Sequence, residues 1–235
     1  MYEKLQNSEK IKKVVEVVKE LPVPKKYPIS VVSGISVILT FWIFVFVSII
    51  YFQGNYNPYM NWMSDLGNSQ KNPEGALFFN IGCIISGIVM FAFFIGLYEW
   101  YIGGKRNRNL TILTQIAGFY VAFALIMIGV FPIDYPLIHG IWAVSLFIAS
   151  GFTFIFPAIA LYKYKFTRNI AKFGLFGTGV NAILWIFFHP IMEWVTILLS
   201  FVYIGIIIYS MQKRIEKLRF VRHQHIEIHS KKKNK

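Results

Sequence analysis

Three polar stretches interrupt the apolar part of this 235-residue chain, and each carries side chains able to do acid–base, nucleophilic or ligand chemistry. The first reads Asn-Pro-Tyr-Met-Asn-Trp-Met-Ser-Asp-Leu-Gly from Asn57 to Gly67, then Asn72-Pro73-Glu74-Gly75, with Asn80 one turn into the apolar run that follows. The second is Phe131-Pro132-Ile133-Asp134-Tyr135-Pro136, with His139 just beyond it, and the third is His189-Pro190-Ile191-Met192-Glu193-Trp194. Ionisable groups beside long apolar runs are costly unless they are paired or functional. Pro132, Pro136 and Pro190 stiffen two of these turns, and Pro190 starts a helix at its first position.

Several chemistries fit these residue types. His139 and His189 with Asp134, helped by Asp65 or Glu193, form the two-histidine, one-carboxylate set that holds a catalytic divalent metal such as zinc. No local H-E-x-x-H pattern accompanies them. Without a metal, Ser64 is the candidate nucleophile, with His139 as base and Asp65 and Asp134 as the catalytic carboxylates beside it. Asn80, His189 and Glu193 suit recognition of a lipid headgroup or another small polar ligand. The plainer alternative is that Ser64 and Asp65 cap helices and that the polar groups pair with one another. These readings stay open at the level of sequence.

The elements that must position these residues follow from composition. The chain is 56% hydrophobic and only 15% charged, against roughly a quarter charged in soluble domains. Six apolar segments reach membrane-spanning length: Val31–Phe52, Ala76–Tyr101, Ile112–Phe131, His139–Tyr162, Phe173–His189 and Trp194–Met211. The expected fold is an all-α integral membrane protein, six transmembrane helices in a compact bundle of three hairpins. Its expected division is a cytoplasmic segment over 1–30, a transmembrane domain over 31–212 and a basic tail over 213–235.

The net charge of +13 is a topology signal. Of the 24 Lys and Arg residues, 23 lie in the N-terminal segment, the 102–111 and 163–172 connections and the tail; only Lys71 lies in the other loops. The positive-inside rule places the basic side, and both termini, in the cytoplasm of a multi-pass cell-membrane protein. The three polar stretches then face outward. No cleavable leader is expected, because residues 1–30 are polar and basic. Ile11, Val14, Val15, Val18 and Leu21 mark one face of a basic amphipathic helix before Pro22, suited to anionic inner-leaflet lipids, as is the tail. Docking of that helix on this protein or a partner is an equal alternative. Nucleic acid is not an expected partner, since no folded platform accompanies the charge. The expected partners are membrane lipids or, if the polar cluster merely closes the bundle, the other subunits of a membrane complex.

Remaining polar residues have structural readings. Cys83 is a lone buried thiol with no disulfide framework around it. Gln115 and Asn181 are placed for interhelical hydrogen bonds, and the Gly82/Ser86, Gly118/Ala122, Ser145/Ala149 and Gly174/Thr178 pairs for close helix packing. Glu99 sits where it can meet Lys105 or Arg106, and His223, His225 and His229 belong to a solvated tail.

The run Asn57-Pro58, Ser64-Asp65-Leu66-Gly67, Asn72-Pro73 and Phe79-Asn80-Ile81-Gly82 with Gly87 resembles an uncharacterised prokaryotic membrane family known as domain of unknown function 998. Gly129-Val130-Phe131-Pro132-Ile133-Asp134 and His139-Gly140, with Ala143 and Phe147, are similar to its second block. The resemblance covers about residues 30–212. It implies a six-span fold and a common outer-face unit, and names no reaction. A fainter, fold-level likeness links the proline turn followed by histidine to eukaryotic membrane families of lipid remodelling and autophagy. Likeness to zinc-dependent membrane hydrolases of the ceramidase type stops at their H-x-x-x-H pair, where this chain has His189 and Glu193. The expected activity is binding or processing of a lipid or other amphiphile at the outer leaflet, as a metal-assisted hydrolase if an enzyme; the alternative is a non-catalytic subunit or scaffold.

Overall fold

A computed structural model describes residues 26–100, 104–163, 167–187 and 189–233. Six long helices follow one another: α1 (Ile29–Ile50), α2 (Ala76–Gly96), α3 (Lys105–Val130), α4 (Pro136–Leu161), α5 (Arg168–Phe187) and α6 (Ile191–Lys233). Short 3-10 helices lie at Met63–Gly67 and Leu97–Trp100. Contacts divide the chain into residues 29–210 and a second unit made of the 1–28 and 211–235 segments. The bundle described below is residues 29–210. In the second unit, the Lys26 ammonium lies over the Tyr27 ring, and the basic amphipathic helix expected before Pro22 falls outside the described residues.

α1, α2, α3, α4 and α6 are long and apolar enough to cross a membrane. α5 is 20 residues long and carries Arg168 and Lys172 in its first two turns. The helices extend past the apolar runs where polar residues continue the pattern. α3 starts at Lys105, two turns before the apolar run that marks it in the sequence. The most pronounced difference is at the C-terminus, where residues 213–233 continue α6 as helix instead of forming a loose tail.

Each helix shows a lipid-type outer face. On α1, Val32, Ile35, Leu39, Ile43 and Phe46 are exposed, while Val37, Phe41 and Val45 are buried. Both faces are apolar, as expected of helices whose backbone polar groups are satisfied within the helix and whose outer side chains meet hydrocarbon. Packing joins α1 to α2, α2 to α3, α3 to α4 and α4 to α5. α6 meets α1 through Phe41 and Phe201, whose ring centroids are 4.9 Å apart, and α4 through Phe154 and Tyr203 at 5.0 Å.

The small residues do allow close approach. A Cβ on Gly82 would strike Phe44, one on Gly118 would enter the Phe94 ring, and one on Gly129 would meet the Asn80 carbonyl of α2. Gln115 donates to the carbonyls of Phe94 and Ile95, and Thr196 donates to Asn181 Oδ1 at 2.9 Å. Glu99 also has a role at the start of α1. Its carboxylate accepts from the Ile29 backbone N–H and, at 2.7 Å, from the Ser30 hydroxyl, so it caps the first turn of α1.

Candidate functional site

The 53–75 loop folds back into its end of the bundle. Its 3-10 helix, Met63–Gly67, is buried throughout, and a buried backbone must have its N–H and C=O groups paired. Asn72, fully buried, does much of that pairing. Its amide nitrogen donates to the Ser48 carbonyl and hydroxyl and to the Leu66 carbonyl, and its oxygen accepts from the Gly75 N–H. Ser48 also donates to Leu66, and Asn80 to the Gly67 carbonyl. At the front of the 3-10 helix, Asp65 accepts from the Trp62 N–H at 3.0 Å and from Lys71 Nζ at 2.8 Å. Asp65 is the third residue of that turn, and its carboxylate closes the first turn as in a capping box.

Glu193 completes the seat from α6. It stands in the first turn of that helix, 8% exposed, and its carboxylate accepts the backbone N–H groups of Ser64 and Met63. Next to it, Trp194 donates to the Tyr56 hydroxyl at 3.0 Å, and Tyr56 in turn donates to the Trp62 carbonyl. Burial pushes the Tyr56 phenol well above its ordinary range, with the Glu193 and Asp65 carboxylates adding to the effect. The hydroxyl therefore stays protonated and remains a donor.

His139 enters from the opposite side, on the first turn of α4. It is 5% exposed, and its Nδ1 lies 2.9 Å from the Phe131 carbonyl. That contact calls for a proton on Nδ1, which leaves Nε2 of the neutral ring as an acceptor.

Ser64, His139 and Glu193 share one cavity of about 90 Å³. The rest of its wall is almost entirely apolar, with Phe41, Cys83, Leu146 and Phe201 contributed by four different helices. Three of the seven residues expected to form a site are thus brought together. Asp65 and Asn80 belong to the loop's own hydrogen bonding.

The other two point elsewhere. Asp134 is exposed and accepts from the Ser69 backbone N–H and hydroxyl, tying the second turn to the first loop. His189 is exposed, and its Nδ1 accepts the Ile191 N–H at 3.3 Å. His189 and Glu193, four residues apart, therefore do not share a helix face, because α6 begins at Ile191, after Pro190. Among the described residues no group of three His, Cys, Asp or Glu lies close enough to hold a metal ion. His139, His189 and Asp134 form no such group.

Sequence reasoning passed over Asn72, Ser48 and Ser69 as structural keys. The Asn72-Pro73 dipeptide signals a turn, and nothing local to it reveals that the side chain turns inward.

A model of the family described as "Protein of unknown function (DUF998)" matches residues 35–211. No match is found among curated proteins or among solved structures. The chain belongs to that family.

Proposed function

We propose that this family member crosses the membrane six times with both termini in the cytoplasm, and that it binds the polar head of an amphiphile at the outer end of its bundle. Six helices, five of them clearly long and apolar enough, and the one-sided distribution of Lys and Arg support the topology. The observation that carries the binding reading is the meeting of Ser64, His139 and Glu193 on the wall of an otherwise apolar cavity. A polar end on an apolar pocket is the usual form of a small-ligand site.

The donor and acceptor inventory narrows the head. Glu193 and His139 Nε2 are acceptors, and the Ser64 hydroxyl is either donor or acceptor. Such a set suits an uncharged head rich in hydroxyl groups and disfavours an anionic one. Since no three metal donors meet among the described residues, binding is favoured over metal-assisted hydrolysis.

The test is the lipid content of purified protein, extracted and quantified by mass spectrometry. His139→Ala and Glu193→Gln are expected to lower a specifically retained amphiphile about tenfold, the effect of losing one hydrogen bond to a charged or buried partner. Unchanged retention in both variants overturns the reading. Stoichiometric co-purifying proteins, with no specific lipid, would favour the subunit role.

A further inference from the structure

The cavity holding Ser64, His139 and Glu193 does not end with those groups. A second cavity of about 60 Å³ lies against it, the two sharing Met90, Val121, Ser150, Ser200 and Ile204 as walls. A third of about 30 Å³ shares Leu97, Thr114, Pro157 and Ile207 with the second. The stack runs along α6 from Glu193 to Ile207 and along α4 from His139 to Leu161. At 1.5 Å per residue these stretches measure roughly 21 Å and 33 Å. One leaflet of a bilayer is about 15 Å of hydrocarbon, so the stack reaches past the midplane.

Its lining decides what it can accept. No Asp, Glu, Lys, Arg or His borders the second or third cavity. Hydroxyl residues are present, and all but Tyr203 turn their protons onto nearby backbone: Ser150 donates to Phe147 O, Thr153 to Ser150 O, Ser200 to Thr196 O, Thr114 to Leu110 O and Thr111 to Asn107 O. A row of such hydroxyls offers little to a hydrated ion. Voids between apolar side chains forfeit packing contacts on every side, and in a bilayer the filler at hand is hydrocarbon. Met90 stands at the first junction, where an unbranched side chain is able to move aside.

We infer that the three stacked cavities form one bore for a single linear hydrocarbon chain, longer than one leaflet is deep, whose head sits at Ser64, His139 and Glu193. This rests on the head-binding reading above and adds the class of ligand: a single-chain, long-chain amphiphile.

The test uses the full chain in nanodiscs doped with an equimolar series of 1-monoacylglycerols from dodecanoyl to tetracosanoyl, with bound species ejected and counted by native mass spectrometry. The longest members are expected to be enriched about fivefold over dodecanoyl, the packing gain of filling the lower cavities. Ser200→Leu and Thr153→Leu, which narrow the bore below the head, shift the preference to short chains without abolishing binding. Equal enrichment at every length in the unmodified protein overturns the bore and leaves the head site standing. No enrichment at any length overturns both. If the leucine variants do not fold, the length profile of the unmodified protein decides alone.

Discussion

The loop end of the bundle and the bore beneath it treat buried polar groups in opposite ways. At the loop end, Asn72, Ser48, Asp65 and Glu193 each satisfy named partners, most of them backbone groups of a chain segment that has no helix to satisfy it. In the bore, hydroxyls turn back onto nearby backbone, and the Tyr203 hydroxyl, 4% exposed, has no hydrogen-bond partner among the described residues. One region is specified by hydrogen bonds and tolerates no gap; the other is specified by shape and keeps gaps. A rigid rim over an adaptable interior is the arrangement a site needs to choose a head strictly and a chain loosely.

Substitutions that remove either property sharpen the contrast. Asn72→Leu is the most damaging, because it takes a partner at once from buried groups of Ser48 and Gly75 and one of two donors from the Leu66 carbonyl. A loss of about 4 kcal/mol is expected, read as a collapse of the folded fraction in a denaturant titration in mild detergent. Glu193→Leu leaves the Ser64 and Met63 N–H groups without an acceptor and is expected to cost about 2 kcal/mol. A Glu193→Leu protein as stable as the original would mean that the loop does not depend on α6.

Smaller effects probe the edges of the two regions. Lys71 is half exposed while its partner Asp65 is buried, and Lys71→Ala is expected to cost about 1 kcal/mol, screened by added salt. A cost unchanged by salt would argue against an electrostatic origin. Tyr203→Phe removes a hydroxyl that has no partner, and should leave the melting temperature unchanged or raise stability by about 0.5 kcal/mol. A clear loss would show that the phenol has a partner, and would make the bore more like the rim.

The helices were legible because a span announces itself by length and apolarity, as α1, α2 and α4 do. The fifth run, Phe173–His189, marks most of α5, though its first turn at Arg168 lies outside the apolar run, and the helical state of 213–233 was invisible beneath its charge. The candidate site was half legible. Ser64, His139 and Glu193 stand out as polar residues beside apolar runs, but so do Asp134 and His189. Which of them turns inward depends on helix phase and on where Pro136 and Pro190 begin the first turns. The bore left no mark in the sequence at all, because a cavity is made by what five separate helices fail to fill.

The contact between Glu193 and the Ser64 N–H joins residues 129 apart in the chain. At a translation rate of about ten residues per second, the loop emerges roughly thirteen seconds before the carboxylate that seats it. Until then the Ser64 N–H lacks its carboxylate acceptor, and the 3-10 turn is held only by Ser48, Asn72 and Asn80.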